Sequence, residues 1–394
     1  MSKIPYYNLD RIEKENAQIN LIIGERSNGK SYQVKHRRAI YPFVDSYNQV
    51  KESTLSKENK EELLYKAYNN LNRFFLVKRW ETEITPVWIE SYFKDVDIYK
   101  ITDGEFDCVD IYRKEIYFAK FNFETGRKKR LLKIGYAGAL SVEQNYAGGS
   151  YLDVTDIIFE EFMSRKSKNN AYLPQEPTKL MNLYSTIDRK RGTTKLWLLG
   201  NTITKVCPYY NDWGLLAILR KMKQGDLVTI NLPTGDKDDD GNPILVKLAI
   251  EYCYTTGKSS FVIGDHAAML NRGDWQTDPQ PKLTKNYKDF KFLFRVGFEY
   301  SNFRFIGEYL KDNSNNNFIW FIYPYEKEFN KKIKLIFSDQ VKNDIRYQRN
   351  IYNLTIDNPA LKSVFSTFRE SNIFYASDEV GTDFKQAIDF SIIK

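Results

Sequence analysis

"NLIIGERSNGKSY", residues 20–32, decides how the rest of this chain is read. A short apolar run, Leu21-Ile22-Ile23, breaks into Gly24-Glu25-Arg26-Ser27-Asn28-Gly29-Lys30-Ser31, and Tyr32 then leads into a helical pattern. The spacing G-x-x-x-x-G-K-S has a physical reason at each fixed position. The glycines let the backbone wrap so that successive N–H groups point inward at a β-phosphate. Lys30 reaches the β- and γ-phosphates, Ser31 offers its hydroxyl to Mg²⁺, and the helix that follows presents its positive end. Gly24 through Ser31, with Tyr32 beyond, are therefore candidate nucleotide-binding residues, with ATP and Mg²⁺ the implied ligands. The bland alternative is a glycine turn that happens to hold a lysine. The context opposes it, because a buried strand precedes the loop and "SYQVKHRRAIYPF" reads as a helix ending near Pro42.

The 394 residues leave room for two or three domains, and 42% hydrophobic with 28% charged residues describes a globular chain. A net charge of +8 favours a polyanionic partner without choosing between nucleic acid and an anionic membrane. Cys108, Cys207 and Cys253 lie far apart, and "MSKIPYYNLD" shows no signal peptide, so a reducing cytoplasm is expected. No apolar run approaches the ~18 residues that would span a bilayer. Tyrosines and phenylalanines number 28 and 26; they alternate along predicted strands, which favours core packing over base stacking.

Continuous apolar runs at "NLIIG", "RFFLVKR" (73–79), "TDIIFEEF" (155–162) and "TKLWLLGN" (194–201) suit parallel strands buried on both faces. Residues 56–72 read as a charged amphipathic helix. Hairpins are expected in "EIYFAKFNFETGRKKRLLKIGYAG", turning at Thr125-Gly126, and over 226–253. These segments make an α/β domain over 1–255. Residues 256–283 form a polar connection, and 284–394 an α+β domain that opens with a three-stranded meander turning at Ser301-Asn302 and "NSNNN". A helix near "NPALKSVFSTFRES", strand "NIFYA" and a helix near "DFKQAIDF" complete it.

A phosphate loop needs an acid at a neighbouring strand end, and "DIIFEEF" supplies Glu160 and Glu161. Adjacent buried carboxylates repel and rise in pKa unless a cation compensates. Glu160 fits the Mg²⁺ shell and Glu161 the orientation of the attacking water. Arg189 or Arg191, ahead of the last buried strand, could enter a neighbouring subunit's site and stabilise transition-state charge. Asn201 ends that strand beside the γ-phosphate. Basic runs at 36–38, 127–130, 165–168 and 220–223 are candidate phosphate-backbone contacts. "DKDDDGNPILVK" mimics a calcium loop, but Lys247 stands where a bidentate Glu belongs, so a hairpin turn is expected. His36 and His266, isolated and without cysteine pairs, make no zinc site.

Taken in order, "GERSNGKS", "RFFLVKRW", "GYAGALSVEQNYAGGSYLDVTDIIFEEF", "LYSTIDRKRG" and "LLGNTITKVCPYY" resemble the DNA-packaging (encapsidation) ATPases of phi29-type tailed phages. The similarity covers most of 1–283 and continues more weakly to 394. It implies a P-loop NTPase of the additional-strand, catalytic-glutamate class joined to an RNase-H-like domain. It also implies a homo-oligomeric, pentameric ring that docks on the portal of a prohead in the host cytoplasm, with a prohead RNA, and drives double-stranded DNA inward. By the matching motifs Arg26 is the loop arginine, Glu161 the catalytic glutamate, Arg189 the trans-acting arginine and Asn201 the end of the coupling strand. Three departures stand out: Glu160 replaces the family's Asp, the segment around 50–72 is longer, and the meander's first strand, "FRVGFEY", offers only Glu299 where a nuclease needs an Asp. A domain without nuclease activity is expected there. Other readings compatible with the loop are a terminase that still cuts DNA, a small-molecule kinase and a non-catalytic scaffold.

Overall fold

The computed structural model describes residues 6–54, 68, 71–164, 172–254, 274–340, 342–348, 368 and 372–392. The chain divides into two compact units. The first runs to Ile203 and resumes at Lys221. Its strands are β1 (Ile19–Gly24), β2 (Arg73–Lys78), β3 (Cys108–Tyr112), β4 (Glu115–Asn122), β5 (Arg127–Ala139), β6 (Val154–Glu160), β7 (Lys195–Asn201), β8 (Leu227–Lys237) and β9 (Pro243–Tyr252). They form one mixed sheet in the order β3-β4-β5-β2-β6-β7-β1-β9-β8. The inner strands β5, β2, β6, β7, β1 and β9 are mutually parallel, and antiparallel pairs close both edges. The four runs that the sequence marks as buried become β1, β2, β6 and β7, whose interiors are shielded on both faces. Parallel pairing sets their C-terminal ends along one rim: Gly24 lies opposite Asn201, and Glu160 opposite Leu199.

The helix after the loop is longer than the sequence suggests. Lys30–Val34 runs into a π-helical stretch, Lys35–Ile40, and on through Tyr41–Thr54. Pro42 does not stop it. The Tyr41 N–H reaches back five residues to the His36 carbonyl, which widens the turn. Pro42 then falls in the first turn of the next α-helical stretch, where a missing N–H and a fixed φ are tolerated. The amphipathic segment 56–72 lies almost wholly outside the described residues. Both expected hairpins are present as β4–β5, with Gly126 at φ +65°, and β8–β9. At the β8–β9 tip the Asp238 carboxylate accepts from the N–H groups of Asp240 and Asn242, which makes a tight turn. Among the described residues no three His, Cys, Asp or Glu side chains are grouped to hold a metal. No described helix is long and apolar enough to cross a membrane.

The second unit takes Thr204–Arg220 and the chain from Trp275 onward. The expected meander is β10 (Phe290–Tyr300), β11 (Phe303–Asp312) and β12 (Phe318–Pro324). Ser301 and Asn302, at φ 49° and 64°, give the left-handed pair that a two-residue hairpin turn requires. Three short strands join it: β13 (Ile336–Ser338) parallel to β10, β14 (Tyr347–Gln348) parallel to β13, and β15 (Ile373–Tyr375) parallel to β12. β13 and β14 were not legible in the sequence. The helix Asp378–Ile392 packs Phe384, Ala387 and Ile388 into the core that holds Phe298, Phe305 and Trp320. Val206 and Leu216 join the same core, so the stretch after β7 belongs to this unit although it precedes 255 in sequence. The expected helix at 358–371 lies, but for Phe368, outside the described residues, as does 256–273 of the connection.

Candidate active site

The loop between β1 and its helix turns on two left-handed residues, Ser27 (φ 60°) and Gly29 (φ 95°). Gly24 is obligatory: a Cβ there would stand 2.9 Å from the Cys253 Cβ and 3.0 Å from Asn28 Nδ2. Glu25, Asn28 and Lys30 are buried, whereas Arg26, Ser27 and Tyr32 are exposed. Asn28 Oδ1 accepts from the Lys30 N–H at 3.1 Å and fixes the start of the helix. Lys30 Nζ donates to the Glu25 carbonyl at 2.7 Å and to Asn201 Oδ1 at 2.8 Å, so the loop lysine and the end of β7 meet. Burial pushes the Lys30 ammonium down to a pKa of about 8, against the pull of Cys253, Glu160 and Glu25.

The two acids part company. Glu160, the last residue of β6, accepts from Tyr92 OH at 3.1 Å and from the Ser31 hydroxyl, and its pKa is raised. Desolvation is the first cause, opposed by Lys35, Ser31 and Tyr92. Glu161 leaves the strand in a left-handed conformation at φ 55° and is exposed. That backbone is costly for a non-glycine residue, and the next residue is braced. Arg79, one residue beyond β2, donates Nη2 to the Phe162 carbonyl at 2.8 Å. Its guanidinium also grips the fully buried Glu176 at 2.7 and 2.9 Å.

A Mg²⁺–triphosphate fits this donor set. A buried ammonium with a lowered pKa and a half-buried carboxylate with a raised one each carry a desolvation cost that such a ligand offsets, and the Ser31 hydroxyl bonds to that carboxylate. Ser31 and Glu160 would hold the metal, the phosphates and water supplying its other oxygens, as Mg²⁺ prefers.

Arg189 and Arg191 lie toward the other end of the strands, ahead of the start of β7. β7 runs away from them toward Asn201, so its seven residues put roughly 20 Å between Arg189 and Lys30. Arg191 is spent locally. Its guanidinium donates to the carbonyls of Asp188 (2.9 Å), Ile187 (3.0 Å), Val154 (3.3 Å), Tyr151 (3.4 Å) and Leu152, and to Thr194 Oγ1 (3.2 Å). Arg189 is exposed, with one bond at 2.6 Å to the Gly149 carbonyl.

Sequence reading missed Lys35, Tyr92, Asp95, Arg79 and Glu176. Lys35 is buried and bonds to Asp95 (2.5 Å) and the Tyr92 carbonyl (2.6 Å), which fastens the Pro86–Phe93 helix to the site. Nothing in the sequence singles Lys35 out, since it opens the basic run Lys35-His36-Arg37-Arg38 between Val34 and Ala39. Of the basic runs, Arg37 and Arg38 are committed to Asp10, Glu13 and Asp156. Arg220 lies over the Phe303 ring at 4.1 Å. Residues 165–168 and His266 lie outside the described residues.

The model of the podovirus DNA encapsidation protein (Gp16) family matches residues 60–381. The DNA packaging protein of Bacillus phage phi29 is 27% identical over 301 residues, spanning 75% of this chain and 74% of its own length. That of Bacillus phage PZA is 27% identical over 221 residues, 56% of this chain and 54% of its own. Among solved structures, a chain of the bacteriophage Phi-29 viral genome packaging motor assembly superposes with a TM-score of 0.51 at 19% identity. It covers 98% of both chains, a likeness of fold. With a family match across most of its length, the chain belongs to the podovirus DNA encapsidation proteins.

Proposed function

We propose that the chain is the ATPase of a DNA-packaging motor, which uses ATP and Mg²⁺ to drive double-stranded DNA into a prohead. The observation that carries this reading is the meeting of Lys30 Nζ with Asn201 Oδ1, one strand away from Glu160 and Glu161. A strand, β7, stands between the loop strand and the acid strand, which supports a P-loop NTPase of the additional-strand, catalytic-glutamate class. In this reading Gly24–Ser31 wrap the phosphates, with Arg26 and Tyr32 at the exposed rim. Bound Mg²⁺ neutralises phosphate charge. Ser31 and Glu160 hold it, Glu161 orients the attacking water, and Asn201 senses the γ-phosphate through its bond to Lys30. Arg189, not Arg191, is the arginine offered to a neighbouring subunit, because Arg191 has its donors in use.

The second unit is read as an RNase-H-like domain without nuclease activity. Strands β12-β11-β10-β13-β14 run antiparallel, antiparallel, parallel, parallel. Glu299, the acid of β10, is held by Lys342 at 2.8 Å, Tyr347 at 2.9 Å and Arg304 at 3.1 Å, which keep its pKa low and leave it committed to cations of the protein. The proposed working form is a homo-oligomeric ring, pentameric by family resemblance, docked on the portal of a prohead in the host cytoplasm with a prohead RNA as a further partner. ATPase domain 1–255, connection 256–283 and C-terminal domain 284–394 remain the proposed division, with 204–220 contributing to the C-terminal core.

Steady-state ATP hydrolysis with and without long double-stranded DNA, for wild type and Lys30→Ala, tests the reading. DNA-stimulated turnover that Lys30→Ala abolishes is the expected result. Turnover indifferent to DNA, even with prohead and portal supplied, points instead to a soluble-substrate enzyme.

A further inference from the structure

The β4–β5 hairpin projects beyond the core of the first unit, and its tip carries more charge than its surroundings neutralise. Between Lys120 and Leu131 it holds five cations and one carboxylate, Glu124. The register sorts the cations onto two faces. On one face Phe121 lies opposite Lys128 and Ala119 opposite Arg130. Both basic groups there are paired, Lys128 with Glu90 at 2.9 Å and Arg130 with Asp110 at 2.7 Å. On the other face Lys120 lies directly opposite Lys129, and Asn122 opposite Arg127. Among the described residues no carboxylate forms an ion pair with Lys120, Arg127 or Lys129, and all three are exposed. Glu105 feels the Lys120 charge but is taken by Tyr47 and Lys51. Like charges directly opposite on a ribbon destabilise it, so this face is arranged against its own stability unless an external anion sits there.

The tip is also held in shape. Asn122 Oδ1 accepts from the N–H groups of Glu124 and Thr125, and its carbonyl accepts from Gly126. Phe123, 87% exposed, stands at the apex with its ring edge-on to Phe121. A two-stranded ribbon is of a size that a duplex groove admits, and cations spaced across it meet successive phosphates.

We propose that the Lys120–Arg127–Lys129 face of this hairpin is a contact for the phosphate backbone of double-stranded DNA. The inference rests on the packaging-motor reading and names the element through which the first unit touches its polymer. Contacts of this kind are independent of sequence and dissolve with salt, as a motor that must release and re-grip requires.

The test is equilibrium binding of a 30-base-pair duplex to the full chain, with log K plotted against log salt for wild type, Lys120→Gln/Lys129→Gln and Lys331→Gln/Lys332→Gln. The last pair removes the same charge from exposed positions in the second unit. Loss of a phosphate contact lowers the slope by about 0.9 for duplex DNA. The hairpin variant is expected to lose about one to two units of slope, several-fold in affinity and the DNA stimulation of ATPase, with DNA-free ATPase unchanged; the control variant keeps the wild-type slope. Equal losses in both variants would mean that only net charge matters and would overturn the proposal. So would an unchanged slope in the hairpin variant, which would leave an acidic protein surface as the ribbon's counterpart. A wild type with no DNA affinity would sink the packaging reading itself, an outcome distinct from the other two.

Discussion

At the residue scale the decisive charge is Lys30. Its ammonium is buried between the Glu25 carbonyl and Asn201, and its pKa in the nucleotide-free protein stands near 8. Polyphosphate at Nζ favours the protonated form, so the bound pKa lies higher than the free one. Below about pH 7 both states carry the proton and affinity is flat in this group. As pH rises past 8 the free protein loses the proton first, and binding must take one up. ATP affinity is therefore expected to fall above pH 8, approaching tenfold per pH unit, the limit set by one proton. Calorimetric titration at pH 7, 8 and 9, in buffers of differing ionisation enthalpy, reads both the affinity and the proton uptake; a constant Kd without uptake would remove Lys30 from this role. The loop itself was legible because every fixed position in it answers to a local demand, a left-handed turn or a donor aimed at phosphate. Arg79, Glu176, Lys35 and Tyr92 were not, since their partners lie 97, 97, 60 and 68 positions away and only the fold brings them together.

At the scale of elements, continuous apolar runs mark buried parallel strands, and β1, β2, β6 and β7 could be placed from sequence for that reason. The run through Pro42 misled because a proline ends an α-helix by rule, and a π-helical turn one residue earlier suspends that rule. The connection from the helix Glu176–Asp188 to β7 shows a second case in which sequence left two equal options. There Asp188 accepts from the N–H groups of Gly192 (2.9 Å), Thr193 (3.2 Å) and Thr194 (3.0 Å), and Arg191 ties that turn to the start of β6. Removing the guanidinium leaves several carbonyls short of a donor at once. Arg191→Ala is expected to cost about 2–4 kcal/mol, from the price of leaving buried acceptors unpaired. For a unit of this size that is a drop of roughly 5–15 °C in Tm. Arg189→Ala removes one exposed bond and is expected to leave Tm within about 2 °C. Thermal melts of the two variants side by side check this; equal losses would mean that both arginines are structural.

At the scale of the whole molecule, the proposed motor site is incomplete within one chain. The first unit supplies the loop, the metal-holding pair and the acid, yet its one uncommitted arginine beside β7 sits toward the other end of the strands, roughly 20 Å from Lys30, farther than an arginine side chain reaches. In the proposed motor an arginine placed so acts on another copy, which would tie hydrolysis to assembly. Neither ring nor neighbour is written in local sequence patterns; the proposed motor assigns Glu161 and Arg189 to different subunits of one shared site. Chains with Glu161→Gln lack the acid but still offer an arginine, and chains with Arg189→Ala lack the arginine but keep the acid. Each alone is expected to lose turnover by about 10²–10⁴ or more. Mixed in equal amounts on proheads, some junctions join an intact acid to an intact arginine, and ATP hydrolysis is expected to recover to a fraction of wild type set by the frequency of those junctions. Activity that stays at the level of the single variants, while Arg191→Ala chains that retain their fold complement Glu161→Gln, would transfer the role to Arg191. No recovery in either mixture, with the rings assembled, would show that the arginine works within its own chain and would overturn the reading drawn from the length of β7.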